Sequence, residues 1–275
     1  MKPAPLEYRR AGSVEEALGL LAEGGPDAKP LAGGQSLVPL LNMRILRPSL
    51  LVDLNAVPGL DGLEAADGAI RVGAMCRQGA VERSPLVRER YPLLAECLPH
   101  VGHFVTRNRG TVGGSVAHAD TGGELPLALV TLGGSVVAAS TRGRREIPAE
   151  DFFVTHFTTA LEPDELVVET VWPDAPPGSG FAFEELAQRH GDYALTMAAC
   201  ALRIEDGEVA EVRLCLGAVT DRPTLVEVLE LDAVGEAARA AVEPTGNVHA
   251  SAEYLRHVTG VLAERALLRA WRSAA

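Results

Sequence analysis

Two glycine-rich stretches hold the residues best suited to chemistry. In Ala32-Gly33-Gly34-Gln35-Ser36-Leu37, adjacent glycines leave backbone N–H groups open to close approach. Ahead of a helix, such a stretch can bind an anion through those amides and the helix dipole. A tight strand-to-helix turn needing positive φ would use the same residues. The second stretch, Arg107 to Asp120, combines three glycines, hydroxyls at Thr111 and Ser115, and the guanidinium groups of Arg107 and Arg109. That composition suits an amide-rich nest for a diphosphate. Its bland counterpart is a solvated loop whose arginines pair with local acids. Neither stretch matches G-x-G-x-x-G after a strand or G-x-x-x-x-G-K-[ST], so a dinucleotide would be held outside a Rossmann unit. The nearest imitation, Gly178 to Phe183, lies among prolines.

Other candidates are weaker. Cys76, Cys97, Cys200 and Cys215 are far apart with no C-x-x-C, which excludes a zinc or iron–sulfur signature within the chain and suits buried thiols in a reducing compartment. His100 and His103 stand i, i+3 but lack a neighbouring carboxylate or cysteine, so they read as an ordinary loop pair. Glu184 and Glu185 are neighbours in an expected strand and point to opposite faces, which reads as a solvated edge rather than an acid pair. Arg142, Arg144 and Arg145 read as a solvated hairpin. No Ser/His/Asp or Cys/His nucleophile pattern stands out.

The elements that must position the loops follow from periodicity. Ser13 and Glu16 have capping-box spacing before a helix with Val14, Ala17, Leu18 and Leu21 on one face, stopped by Gly24 and Gly25. A strand ending at Leu31, the glycine loop, a helix from Leu37 to about Arg44 and a strand over Leu50 to Leu54 give the βαβ order. Strands are expected over 69–74, 135–139 and 166–172, a partly helical stretch over 78–90, a loop over 101–120 and a buried helix over 125–132. Pro173 to Gly180 is the linker candidate. Three strands follow over 181–187, 195–204 and 208–219, the last two joined at Asp206-Gly207. Two helices, over 235–242 and 251–271, complete the pattern.

Composition bounds the remaining choices. The chain has 275 residues, 47% hydrophobic and 23% charged, with a formal net charge of −12. That balance lacks the basic footprint of a nucleic-acid or anionic-membrane binder. No apolar run approaches the roughly 18 residues of a membrane span, and the N-terminal MKPAPLEYRR lacks an apolar signal core. A cytoplasmic protein is expected.

Three stretches resemble one family. LAGGQSLVPLLNMRILRPSLLVDLN (Leu31 to Asn55), RNRGTVGGSVAHAD (Arg107 to Asp120) and RHGDYALTMAA (Arg189 to Ala199) are similar to the flavoprotein (medium) subunits of molybdenum hydroxylases, closest to the aerobic carbon monoxide dehydrogenase type within the xanthine dehydrogenase family. The likeness runs along essentially the whole chain with the motifs in family order. It implies an α+β fold: a two-lobed FAD-binding domain of the vanillyl-alcohol-oxidase (PCMH) type over 1–173, with sub-lobes of about 1–55 and 56–173. A C-terminal domain over 178–275, with a three-stranded antiparallel sheet and helices, would follow. The resemblance places Ala32, Gly33, Gly34, Gln35, Ser36 and Leu37 at the diphosphate of a non-covalent FAD, and Thr111, Val112, Gly113, Gly114 and Ser115 as a second clamp. Glu124 falls where the family's acid meets the ribityl or ribose hydroxyls, Tyr193 where a side chain meets the isoalloxazine, and Leu166 at an apolar contact. The family continues H-A-D-P, whereas His118-Ala119-Asp120 here leads into Thr121-Gly122-Gly123, a looser turn.

The implied role is electron transfer from a [2Fe-2S] small subunit through FAD to an external acceptor. Substrate oxidation would occur on a molybdopterin large subunit, the whole forming a dimer of heterotrimers. Two rivals are a free-standing flavin oxidoreductase, for which no general base presents itself, and a non-catalytic FAD-holding scaffold. Without the resemblance, Tyr193 reads as core filler.

Overall fold

The computed structural model describes residues 2–274. The first lobe contains β1 (Glu7–Arg10), α1 (Val14–Gly24), β2 (Ala28–Leu31), α2 (Leu37–Asn42) and β3 (Leu50–Asp53). Its three strands form a parallel sheet in the order β1-β3-β2. Ser13 caps α1 as the spacing predicts, its Oγ accepting from the Glu16 amide at 3.1 Å, while the Glu16 carboxylate reaches one residue past the N-cap and accepts from the Gly12 amide at 2.7 Å. Gly25, at φ +57°, ends that helix in a conformation side chains resist. The strand β1 is absent from the sequence expectation because all four of its side chains are exposed and carry no apolar alternation.

The second lobe holds β4 (Leu63–Ala66), β5 (Ala69–Gly73), α3 (Gln78–Arg83), α4 (Pro85–Arg90), α5 (Pro92–Cys97), α6 (Phe104–Arg107), α7 (Val112–His118) and α8 (Glu124–Thr131). It continues through β6 (Ser135–Ser140), β7 (Gly143–Pro148), α9 (Ala149–Phe152), β8 (Phe153–Thr155), β9 (Thr158–Thr159) and β10 (Leu166–Pro173). Five of these strands form one sheet, β4-β5-β10-β6-β7, antiparallel throughout. The stretch expected to be a loop over 101–120 instead contains α6 and α7. Thr111 supplies the missing start signal for α7: its hydroxyl accepts from the Gly114 amide at 3.0 Å. Glycines count against a helix in isolation, but a Cβ on Gly113 would lie 2.5 Å from Ala74 Cα, so the glycine lets α7 pack directly on the end of β5.

The C-terminal domain contains β11 (Ser179–Ala187), β12 (Ala194–Glu205), β13 (Glu208–Gly217), β14 (Thr224–Val226), α10 (Val234–Ala240) and α11 (Ala252–Ala274). Its antiparallel sheet has four strands rather than the expected three, in the order β11-β12-β13-β14. The added strand spans three residues, too short to register as an alternating run. Asp206 and Gly207 both adopt positive φ, +53° and +83°, which suits the twist of a tight hairpin.

Alternation along this sheet divides its contacts between the two domains. Phe183, Met197, Ala199 and Cys215 pack into the core of the second lobe against α5 and α8. Their neighbours Ala182, Ala198, Cys200, Leu214 and Leu216 pack the other way, onto α10 and α11. All eight residues of α8 are buried as a result. The supposed linker is correspondingly brief, since Pro173 still belongs to β10 and Ser179 already belongs to β11.

Candidate cofactor site

The loop between β2 and α2 presents an unusual row of donors. Among the described residues, the amides of Ala32, Gly33, Gly34, Gln35, Ser36 and Leu37 donate to no backbone carbonyl or side chain. Six open N–H groups at the entry to a helix make a nest for an anion. Gly34, at φ +73°, turns the chain back over the loop, and the Gln35 side chain bonds the Gly33 carbonyl at 3.2 Å. Beside them lies an open groove of about 460 Å³ whose wall includes Val38, Pro39, Asp53, Asn55 and Arg109.

The second glycine loop lies directly against the first. A Cβ on Gly33 would come 2.4 Å from the Arg109 carbonyl oxygen and 2.8 Å from Gly110 Cα. A Cβ on Gly114 would lie 3.6 Å from that of Ala32. The second loop is nevertheless not an amide-rich nest. Its Val112 and Gly113 amides donate to the Cys76 and Ala74 carbonyls, and those of Gly114 and Ser115 to the Thr111 hydroxyl and carbonyl. What it offers is close backbone approach, the hydroxyls of Thr111 and Ser115, and the Arg109 guanidinium.

Arg107 does not join that set. Its side chain is buried, bonds both Glu82 oxygens at 2.8 and 3.1 Å, and donates to the Pro99, Val101 and Gly102 carbonyls. Sequence reasoning missed the cation that does approach the loops, Arg77. It bonds the Arg109 carbonyl, and the Asn55 side chain at 2.6 Å; Asn55 in turn donates to the Ala32 carbonyl at 3.0 Å. Burial, and then the neighbouring Arg109 cation, lower the pKa of Arg77. Two guanidinium groups held close together favour an anion beside them. A lone arginine between a strand and a helix leaves no motif to read.

Seven residues of α7, about 10 Å of helix, separate the touching loops from a second group of side chains. Ala119 closes the helix in the left-handed conformation, φ +51°. The Asp120 carboxylate then lies 4.0 Å from His118 Nε2 and 3.9 Å from His156 Nε2. Glu124, the first residue of α8, is buried, and burial pushes its carboxyl up to about 8, with Glu185 and Asp120 adding to the rise. No hydrogen-bond partner for that carboxyl occurs among the described side chains, so a protonated Glu124 has bonding capacity to spare. Tyr193 stands opposite, 70% exposed, with its ring against Gly122: a Cβ there would lie 3.6 Å from Tyr193 Cδ1. Partial burial of its hydroxyl, then Asp120 and Glu124, raise the Tyr193 pKa, which keeps the phenol neutral.

Two expectations need correction. Leu166 does not face the groove: it is buried between the two lobes with Leu18, Met75 and Val168, because the inward side of β10 supplies their shared core. Glu185 is not on a solvated edge. Its side chain is only 4% exposed, and His100 Nδ1 lies 3.6 Å from its carboxylate. The bland readings of other residues agree with the structure. All four thiols are free and buried, which raises Cys76 to about 11 and both Cys200 and Cys215 to about 12. Arg142 and Arg145 pair locally with Asp164 and Glu165. No group of metal-ligating side chains occurs among the described residues, and no helix there is long and apolar enough to cross a membrane.

The residues present fit an elongated dinucleotide. Open amides and two cations stand at one end, a buried acid without a side-chain partner and an aromatic ring at the other, with a helix joining them. Comparison with known proteins agrees. Residues 4–175 match the FAD binding domain in molybdopterin dehydrogenase, and residues 181–270 match the CO dehydrogenase flavoprotein C-terminal domain. The chain is 44% identical to the 6-hydroxypseudooxynicotine dehydrogenase complex subunit alpha of Paenarthrobacter nicotinovorans, over 98% of this chain and 96% of the relative. It is 35% identical to the carbon monoxide dehydrogenase medium chain of Hydrogenophaga pseudoflava, covering 98% and 99%. A solved carbon monoxide dehydrogenase from that organism, lacking the Mo-pyranopterin moiety of the molybdenum cofactor, superposes with a TM-score of 0.96 at 35% identity and full coverage of both chains. The chain therefore belongs to the FAD-binding medium subunits of the molybdenum hydroxylases, the family of the carbon monoxide dehydrogenase medium chain.

Proposed function

We propose that this FAD-binding subunit holds the cofactor's diphosphate on the open amides of Ala32 to Leu37, with Arg77 and Arg109 balancing its charge. Thr111 to Ser115 close the second side, through small residues and hydroxyls more than through free amides. Glu124, protonated near neutral pH, exchanges hydrogen bonds with sugar or ribityl hydroxyls, and Tyr193 covers one face of the isoalloxazine. FAD, when bound, supplies the redox chemistry. The protein binds it, excludes water from the Glu124 end and keeps an uncharged phenol and acid beside the ring.

The observation that carries this reading is the row of six amides without acceptors. The domains divide at 1–173 and 178–275. In the complete assembly the chain works between a [2Fe-2S] small subunit and a molybdopterin large subunit, as a dimer of heterotrimers in the cytoplasm. Support comes from relatives that are themselves a complex subunit alpha, a medium subunit and a medium chain, and from four free thiols suited to a reducing compartment. Relatives acting on compounds as different as 6-hydroxypseudooxynicotine and carbon monoxide imply that the substrate is chosen by a partner. Expressing the chain alone and recording its visible spectrum tests the cofactor assignment. A flavin spectrum, or one restored by adding FAD, is expected; a folded, colourless protein that cannot be reconstituted would overturn it.

A further inference from the structure

The segment carrying Tyr193 is a connection, Gln188 to Tyr193, between the end of β11 and the start of β12. It extends from the C-terminal domain onto the second lobe, where it meets residues 98–103. That stretch is held from its inner side by Arg107, whose buried guanidinium binds the carbonyls of Pro99, Val101 and Gly102 and is itself anchored on Glu82. With its backbone fixed in this way, the stretch presents two imidazoles to the hairpin. His100 lies edge-on to Phe183 at 5.0 Å and to His190 at 5.8 Å between ring centroids. Its Nδ1 is 3.6 Å from Glu185 Oε2. His103 meets the tip: a Cβ on Gly191, which is at φ +85°, would lie 2.6 Å from His103 Nδ1.

We propose that His100 is a positioning residue, which locks the Tyr193 hairpin onto the FAD-binding domain by pairing as a cation with the buried carboxylate of Glu185. The charges around the pair leave no substitute for it. Glu96 of α5 and Glu184 of β11 share one cation, Arg269 of α11, which leaves it no charge to spare for Glu185. Glu124 of α8 contributes a further acid, and Cys97 lies buried beneath as a neutral thiol. His190 is the other imidazole near His100. Among the described residues, the ion-pair partner of Glu185 is His100 alone, and Glu185 Oε2 is fully buried without a hydrogen bond. An unneutralised carboxylate at that depth is costly.

Pairing with Glu185, opposed in part by burial, raises the pKa of His100. A raised histidine contributes fully below its ordinary range near 6.5 and loses its contribution as pH rises through the raised value. The hairpin is therefore held most firmly while His100 is charged and loosens as pH rises through its raised value. The significance of this lock for the flavin rests on the placement of Tyr193 proposed above; the lock itself does not.

Hydrogen exchange on the full chain, with and without FAD, tests it. Protection of the amides of Gln188 to Tyr193, corrected for intrinsic base catalysis and referenced to the Asp206-Gly207 hairpin, is expected to fall several-fold between pH 6 and 9. Glu185→Gln should keep protection high and remove the pH step, because no charge is left to pair. His100→Gln should lower protection at every pH. A flat wild-type profile, or a step that persists in Glu185→Gln, would overturn the proposal. Flavin absorbance on the same samples separates the two readings. A pH step without FAD binding supports the lock and refutes the cofactor assignment, whereas bound FAD with a flat profile refutes the lock alone.

Discussion

Glycine 33 and Glu124 carry the sharpest consequences at the scale of single residues. Gly33 occupies the contact between the two loops, so even Gly33→Ala would force a methyl into the Arg109 carbonyl. We expect it to weaken FAD binding at least about tenfold, roughly 1.4 kcal/mol. Gly33→Asp should abolish binding, because it adds a negative charge beside a diphosphate; titration by flavin absorbance reads both effects. Glu124 makes a pH prediction of definite sign. Its folded pKa of about 8 exceeds the ordinary value of 4.5, so its neutral form favours the folded state. That contribution is complete below pH 4.5 and is lost as pH rises to about 8. Across this window the FAD-free protein should lose a few kcal/mol that Glu124→Gln retains. Melting curves of the two proteins at pH 5 and pH 8.5 check this: the variant should be the more stable at pH 8.5.

Among the elements, α7 does the most to define the site. It sets the distance between the glycine loops and the Tyr193 end, and its fixed position depends on a glycine for packing reasons. Gly113→Ala would place a methyl 2.5 Å from Ala74, backbone included, so either α7 or β5 must move. A destabilisation of about 1–3 kcal/mol is expected in urea unfolding, the usual cost of overfilling a packed contact. FAD affinity should fall with it. A free solvated loop over 101–120 would tolerate the same substitution within about 0.5 kcal/mol. Legibility in the sequence was uneven here. The first helix, with its capping spacing and one apolar face, and the Asp206-Gly207 hairpin were readable because local rules decide them. The helix α7 was not, since its two adjacent glycines argue against it, and only tertiary contact explains them: Gly113 packs on Ala74 at the end of β5 and Gly114 approaches Ala32 of the first loop.

For the whole molecule, the decisive feature is a sheet that belongs to two cores. Phe183 and Met197 of the C-terminal domain are buried in the FAD-binding domain, while the opposite face of the same strands packs on α11. Two domains sharing an interior in this way should unfold together. A single calorimetric transition is expected in the FAD-free protein, and Met197→Ala should lower it by about 2–5 kcal/mol without splitting it. Two resolved transitions would show that the domains are independent. This coupling bears on function, because the hairpin that brings Tyr193 to the site leaves that same sheet. Its position is set by the shared core and by the contacts of His100 and His103.

The anion-binding character of the first glycine loop and the order of the longer elements were legible in the residue pattern. Glycine placement, capping spacing and the alternation of buried strands are local, and the three motif stretches carry the resemblance to the flavin subunits of multi-subunit enzymes. The roles of particular side chains were a different matter. Arg107 and Arg109 are two positions apart, yet one binds carbonyls in the interior and the other borders the groove. Leu166 turned inward, Glu185 was buried against His100, and Arg77 entered the site from a segment with no motif. Each outcome depends on contacts between residues distant in the chain. Burial and charge pairing, which fix what a polar or apolar group can do, exist only once those segments have met.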